Sequence, residues 1–284
     1  MIVCRRIDEI KNFLKKIKDE NKSVGLVPTM GYIHNGHVSL IKKALEENDV
    51  VIVSIFVNPL QFGKNEDFNK YPRDEKKDLE ILGTNNVDIA FLPEVDEMYN
   101  NKFLTKISVD KLSYLLCGKS RPGHFDGVCT VLAKLFNIVK PNSAYFGLKD
   151  YQQYIIVKTM VADLNFDIEI IGLPIVRDVD GLAISSRNIY LSFEERCIAL
   201  CLNKSFNIVE NLLKKGIRDP LIIKNNVIQY ITGFNSTRID YIEIVDIETL
   251  EPLNEVKENF LLALAVFIGN TRLIDNKIFS FVAH

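Results

Sequence analysis

Several things are scarce in this chain of 284 residues, and each scarcity excludes a class of protein. Charge is nearly balanced, with 35 Lys and Arg against 37 Asp and Glu and a net of −2, so nothing electrostatic points to nucleic acid or to an anionic membrane. Long apolar runs are missing: the longest strongly apolar stretch, Phe260 to Gly269, is about half of what a membrane span needs. The opening residues, Met1-Ile2-Val3-Cys4-Arg5-Arg6-Ile7-Asp8-Glu9, lack the apolar stretch of a signal peptide. The five cysteines are odd in number and irregularly spaced, which predicts reduced thiols and a cytoplasmic location. Cys197 and Cys201 sit four apart on one predicted helix face with no His or third Cys nearby, so they read as packing residues rather than zinc ligands. No internal repeat, low-complexity segment or linker rich in Pro, Gly or Ser interrupts the chain. The common glycine motifs for phosphate are also missing. Gly118-Lys119-Ser120 looks like the tail of a P-loop, but Ser113 stands where that motif needs glycine, and no G-x-G-x-x-G occurs.

What is present is an ordinary globular composition, 47% apolar and 25% charged, long enough for one large or two unequal domains. The first half alternates. Residues 7–20 carry Ile7, Ile10, Phe13, Leu14 and Ile17 on one helical face. Val24 to Val27 is a short strand, 36–47 a helix, and Asp49 to Val57 a β-branched run suited to a strand buried on both faces. A helix follows over 73–83, ending at Gly83. Val87 to Leu92 is a strand, Val128 to Val139 a helix, Ser143 to Phe146 a strand, Tyr151 to Leu164 a helix, and Phe166 to Val176 a strand. Alternation of this kind predicts an α/β fold, a Rossmann-like doubly wound parallel sheet over residues 1–176. Beyond it the texture changes. A long helix over 192–214, another near 219–231, an alternating strand from Ile239 to Val245 and the apolar run 260–268 predict a smaller C-terminal α+β domain over 177–284, with a hinge within 174–190. Two segments read as mobile: Gly63 to Lys70, and Cys117 to Gly127 with its three glycines.

Ligands of such sheets bind beyond the carboxyl ends of the strands, and four polar segments fall there or nearby. Met30-Gly31-Tyr32-Ile33-His34-Asn35-Gly36-His37 joins the first central strand to a helix. The helix start offers free N–H groups and a positive dipole end to an anion, most often phosphate. His34 and His37 are two of only four histidines in the chain, and they add ring donors that titrate near neutral pH. An H-x-G-H turn in this setting is how one large group of enzymes binds ATP and splits it between the α- and β-phosphates. Asn58 and Gln61 follow the second buried strand, where amides suit the hydroxyl and carboxyl groups of a small substrate or simply punctuate a turn before Pro59. Gly147-Leu148-Lys149-Asp150 leads into a helix: Gly147 allows a ligand to approach, Lys149 is a cation for phosphate, and Asp150 is an acceptor for ribose or a helix cap. Ile184-Ser185-Ser186-Arg187 sets two hydroxyls beside a guanidinium, a phosphate clamp or an ordinary loop. Arg121, His124 and Asp126 read as solvated loop residues in preference to a flap over the site.

Taken in order, these segments, with Tyr71-Pro72-Arg73, Arg121 to Phe125, Gly181 to Asn188, Asp240-Tyr241 and Thr271 to Asn276, resemble the pantothenate synthetases, also called pantoate–β-alanine ligases. The resemblance runs over essentially the whole chain. It implies ATP and pantoate as substrates of a first step that yields pantoyl adenylate and pyrophosphate. In the second step β-alanine attacks the anhydride to give pantothenate, a coenzyme A precursor, and AMP. It also implies Mg²⁺ with the ATP and a cytoplasmic homodimer. By resemblance Met30 to His37, Gly147, Leu148, Lys149, Asp150, Val176, Ile184, Ser185, Ser186 and Arg187 bind ATP. Of these His34, His37, Lys149 and Arg187 are catalytic, with His37 the proton donor to the leaving group. Gln61, Gln153 and Asn58 hold substrate. Leu148 and Ile184 depart from the family's usual Glu or Gln and Met. Lys77 precedes Asp78 where some relatives carry adjacent acidic residues linked to the metal, so protein ligands for Mg²⁺ stay unassigned. The alternatives are another adenylyltransferase with the same nucleotide site, or a non-catalytic nucleotide-binding protein. A locally acidic C-terminal region counts against one that charges tRNA.

Overall fold

The computed structural model describes residues 1–63, 66–256 and 259–280. The chain divides into two compact units, Met1–Ser113 with Arg121–Ile175, and Tyr114–Ser120 with Val176–His284.

The first unit is built on six strands: β1 (Ile2–Cys4), β2 (Val24–Thr29), β3 (Val50–Ile55), β4 (Ile89–Phe91), β5 (Ser143–Gly147) and β6 (Glu169–Leu173). Their order across the sheet is β1-β4-β3-β2-β5-β6, and every pairing is parallel. Its helices are α1 (Ile7–Asp19), α2 (Asn35–Glu47), α3 (Glu75–Thr84), α4 (Val95–Met98), and, after a fifth helix belonging to the other unit, α6 (His124–Val139) and α7 (Tyr151–Asp163). The doubly wound α/β class expected from the alternation is what the chain adopts. β3 shows why it was legible: Val50, Val51, Ile52 and Val53 are all buried, as a central parallel strand requires. The chain winds outward from β2 through β3 to β4, then crosses back to β5 and β6. The point where the order reverses lies between β2 and β5, and sheets of this kind bind ligands at that point, beyond the carboxyl ends of the strands.

The second unit contains α5 (Leu116–Ser120), α8 (Phe193–Lys214), α9 (Pro220–Thr232), and an antiparallel sheet β7 (Thr237–Val245), β8 (Asn259–Ile268) and β9 (Thr271–Ser280). α8 starts at a capping box in which the Ser192 hydroxyl accepts from the Glu195 N–H at 3.1 Å and the Glu195 carboxylate accepts from the Ser192 N–H at 2.8 Å. Phe206, Ile223, Val227 and Ile231 of the helices pack with Phe260, Leu262, Leu264 and Val266 of β8.

The structure corrects several expectations. β1 and β9 were not anticipated. β6 is shorter than 166–176. α3 starts at Glu75 because Asp74 caps it, its carboxylate accepting from the Lys77 N–H at 3.1 Å, and it runs past Gly83 to Thr84. The segment 117–127 is not a loose flap. Leu116–Ser120 is helical and α6 begins at His124, four residues ahead of Val128. Gly123 serves the turn with φ of 80°. Gly127 lies where α6 crosses the chain after β3, and a Cβ there would fall 2.4 Å from the Leu60 carbonyl. Glycine content at that position marks a close crossing, not freedom. Of the segment 63–70, residues 64 and 65 lie outside the described residues. Cys201 is a packing residue as expected, and burial pushes its thiol up to about 12, but Cys197 is exposed.

Candidate active site

The turn after β2 is held in an unusual shape. Gly31 has φ of 81° and Tyr32 φ of 54°, two successive left-handed residues of which only one is glycine. A non-glycine residue there costs on the order of 1–3 kcal/mol unless its surroundings fix it. They do so from two sides. From β2, the Thr29 hydroxyl donates to the Ser54 carbonyl at 2.8 Å and accepts from the Gly31 N–H at 3.1 Å. From α3, the buried Asp78 carboxylate accepts from the Tyr32 N–H at 2.8 Å and from the Ile33 N–H at 2.6 Å. Burial raises the Asp78 pKa, and the two N–H groups oppose that rise. A cavity of about 210 Å³ opens beside the turn, lined in part by Met30, Gly31, Val57, Arg73 and Asp78.

The turn delivers His34 as the N-cap of α2 and places His37 in its first turn. The two rings stack at 3.9 Å between centroids and 20° between planes. His37 Nδ1 accepts a long contact from the His34 N–H at 3.4 Å, leaving Nε2 to carry the ring proton of the neutral form. Burial, then the neighbouring His34, then the Lys149 charge hold the His37 pKa well below the usual histidine value. The effect of Lys149 on His37 links the ends of β2 and β5, for Lys149 lies in the single 3-10 turn Leu148–Asp150 that follows β5. Its ammonium stands 3.9 Å from Asp150. Gly147 ends β5, and Gln153 is half-buried in the first turn of α7.

After β3, the 3-10 turn Pro59–Gln61 carries the third cluster. Gln61 is buried, its Nε2 donating toward Met30 Sδ at 3.1 Å and its Oε1 accepting from Asn58 Nδ2 at 3.0 Å. Asn58 is used up by the protein: Nδ2 also donates to the Gly127 carbonyl at 3.0 Å, and Oδ1 accepts from the Leu60 N–H at 3.2 Å and the Tyr99 hydroxyl at 2.9 Å. The supports under this turn are residues that the sequence had suggested as solvated loop. His124 Nδ1 donates to the Gln61 carbonyl at 2.8 Å, so its Nε2 is the acceptor for Arg121 Nη1 at 3.0 Å. Arg121 in turn forks onto Glu66, with contacts of 2.8 and 2.6 Å. Burial works against the Glu66 charge, yet Arg121 outweighs it and the pKa falls. Asp126 accepts from the Ser108 hydroxyl at 2.6 Å and pairs with Lys106 at 2.7 Å. These three residues are built into the wall, not solvated. No local signal could have shown this, because Glu66, Gln61 and His124 meet only through the crossing of α6.

Burial first, and then Arg121, lower the His124 pKa to about 4 from an ordinary 6.5. The unfolded chain therefore binds this proton between those values while the folded chain does not. Stability is full above pH 6.5 and declines as pH falls toward 4, by on the order of 3 kcal/mol from this residue. Urea unfolding midpoints across that range should decline less in His124→Asn than in the parent protein; parallel curves would exclude the assignment.

Val176, Ile184, Ser185, Ser186 and Arg187 belong to the second unit. The Ile184 N–H donates to the Val176 carbonyl at 3.0 Å, closing a turn around Gly181, whose φ is 93°. The Ser185 hydroxyl caps the 3-10 helix Ser186–Tyr190, accepting from the Arg187 N–H at 3.3 Å. Among the described residues no three His, Cys, Asp or Glu side chains converge as metal ligands do, and both Asp78 oxygens are taken by backbone N–H groups.

An H-x-G-H helix start after β2, a buried amide after β3 and a lysine after β5 are residue types suited to a nucleotide at the carboxyl ends of the strands. The family model for pantoate-beta-alanine ligase matches residues 2–278. The chain belongs to the pantoate–β-alanine ligase family. Pantothenate synthetase from Pseudothermotoga lettingae is 52% identical over 98% of this chain and 99% of its own. The crystal structure of pantothenate synthetase from Thermus thermophilus superposes with a TM-score of 0.93 at 42% identity, covering 98% of this chain and 99% of that one. The pantoate-beta-alanine ligase of Francisella tularensis, solved with β,γ-ATP and β-alanine, gives 0.79 at 37% identity, covering 98% and 97%. The ligase class and the resemblance over the whole chain thus stand as expected. Among the described residues no helix is long and apolar enough to cross a membrane.

Proposed function

We propose that this chain condenses pantoate with β-alanine at the expense of ATP, giving pantothenate, AMP and pyrophosphate. What supports this reading is the stacked His34–His37 pair after β2 together with the effect of the Lys149 charge on His37, which brings a cation from the end of β5 to the same helix start. In the first step a pantoate carboxylate oxygen attacks the α-phosphorus of ATP, and the bond to pyrophosphate breaks. The negative charge that leaves is met by the α2 N-terminus, Lys149 and the His34 and His37 rings. His37 is neutral before nucleotide binds, so its Nε2–H acts first as a hydrogen-bond donor. The charge of a bound triphosphate opposes the lowering by Lys149 and brings the ring toward the protonated form that a proton donor needs. In the second step the β-alanine amine attacks the acyl carbon and AMP leaves.

Met30 to His37, with Gly147, Leu148 and Asp150, hold the nucleotide from the first unit. Val176, Ile184, Ser185, Ser186 and Arg187 are further nucleotide-binding residues by the family resemblance, two hydroxyls and a guanidinium among them suiting phosphate. Mg²⁺ brought with ATP would need few protein ligands and would supply charge neutralisation. Gln61 and Gln153 bind pantoate; Asn58 acts by fixing the Gln61 amide. Gln153→Ala should therefore weaken pantoate binding about tenfold while leaving ATP binding nearly unchanged, because one amide partner is lost from one substrate. Equal losses for both in titration calorimetry would remove this assignment. Five free cysteines suit the reducing cytoplasm. The working form is a homodimer, and light scattering should give twice the 32.4 kDa of one chain; a monomer at micromolar concentration would contradict it.

The reading as a whole is tested by pyrophosphate release from ATP and Mg²⁺. Release should require pantoate, and pantothenate with AMP should appear by mass spectrometry only after β-alanine is added. Folded protein with no pantoate-dependent signal would redirect the search to another acid substrate of an adenylyltransferase.

A further inference from the structure

Asp78 has no assigned part in the reaction, yet its placement is specific. It projects from α3, 45 residues beyond Ile33, into the turn that precedes α2. Its two oxygens are divided between consecutive N–H groups, Oδ2 on Tyr32 at 2.8 Å and Oδ1 on Ile33 at 2.6 Å. The residue is 2% exposed, and it fits only because residue 31 is glycine: a Cβ there would fall 2.9 Å from Oδ2. The turn it grips contains the left-handed Tyr32, a conformation such a residue keeps only when held. One residue beyond the second grip is His34, the N-cap of α2. Exposed Lys77, beside Asp78, supplies no second carboxylate.

We propose that Asp78 is the positioning residue of the nucleotide site: it clamps the Gly31–Ile33 turn so that His34, His37 and the α2 N-terminus face the phosphates, and it is not a ligand of the metal. This rests on the nucleotide reading given above. A carboxylate that served a metal would present an oxygen to the ion, whereas a clamp spends both on the backbone. The two roles predict opposite effects of removing the charge when no metal is present.

The test is Asp78→Asn, which keeps the shape but turns an amide NH2 toward one of the two N–H groups. ATP binding is measured by calorimetry with EDTA and again with Mg²⁺, and the Mg²⁺ dependence of pyrophosphate release is recorded. The clamp predicts about tenfold weaker binding in both conditions, a raised KM for ATP and an unchanged half-saturating Mg²⁺ concentration. Unchanged or tighter binding in EDTA, with half-saturating Mg²⁺ raised severalfold, would overturn the proposal and make Asp78 a metal ligand. Amide hydrogen exchange of the parent protein without nucleotide gives a check that needs no variant. Tyr32 and Ile33 should be protected; free exchange of both would also overturn the clamp. If the parent protein bound no ATP while those amides were protected, the nucleotide reading would fail while the clamp itself stood as a feature of the fold.

Discussion

His37→Ala should keep its fold and lose about two to four orders of magnitude in pyrophosphate release, the usual worth of a positioned acid or base. The fold is expected to survive because the hydrogen bond of the His37 ring to the start of α2 is long, at 3.4 Å, and the turn before it is anchored independently by Thr29 and Asp78. The loss is expected to be large because no other group can take its place. His34 is stacked against the same ring but stands outside the helix, as its cap. Lys149 remains as a cation for the phosphates. ATP binding should fall much less than turnover, since charge and helix N-terminus persist. Single-turnover measurement of adenylate formation is the check. A variant with near-normal rates would show that the leaving group departs without His37.

Gly127→Ala should damage pantoate binding from a distance. The added methyl would lie 2.4 Å from the carbonyl carbon and oxygen of Leu60 and 2.5 Å from the Gln61 N–H nitrogen, all backbone atoms that cannot rotate aside. Either α6 or the Pro59–Gln61 turn must move. α6 is buried along most of its length, from Phe125 to Val139, so the turn is the part that yields. Its movement breaks the bond from Asn58 to the Gly127 carbonyl and the bond from His124 to the Gln61 carbonyl, and with them the aim of the Gln61 amide. Overpacking of this kind costs about 1–3 kcal/mol. The melting temperature should drop by several degrees, and the KM for pantoate should rise at least about tenfold, a misplacement effect, with ATP binding little altered. Wild-type stability together with a wild-type KM for pantoate would mean that the crossing is looser than the structure places it.

The two substitutions mark the boundary between what was legible in the chain and what was not. The alternation of apolar strands with amphipathic helices determined the α/β class, because the 2.0 and 3.6 periodicities arise from local backbone geometry and need no partner. The H-x-G-H turn was legible for the same reason: a strand end, a helix start and two histidines are neighbours in sequence. β9 was not, because its ten residues include Arg272, Asp275, Asn276 and Lys277, which read as a polar connection. Only the fold shows Asp275 buried and paired with Arg177 at 2.7 and 2.8 Å, from 98 positions away. A buried charge that is paired is compatible with a strand, and an unpaired one is not.

The site divides in the same way. The sequence by itself determined which residue types end each strand, hence the nucleotide chemistry proposed for His34, His37 and Lys149 and the amides of Asn58 and Gln61. Tertiary structure decided what each of them rests on. Asp78 lies on the helix between β3 and β4, remote in sequence from the turn it grips. Arg121, His124 and Gly127, which read as an exposed glycine-containing loop, form the support beneath Gln61. Asn58, which read as a partner for substrate, proved to be saturated by Tyr99, Gly127 and Gln61. Contacts of this sort are set by the crossing of elements remote in sequence, and a one-dimensional pattern carries no term for where two backbones approach.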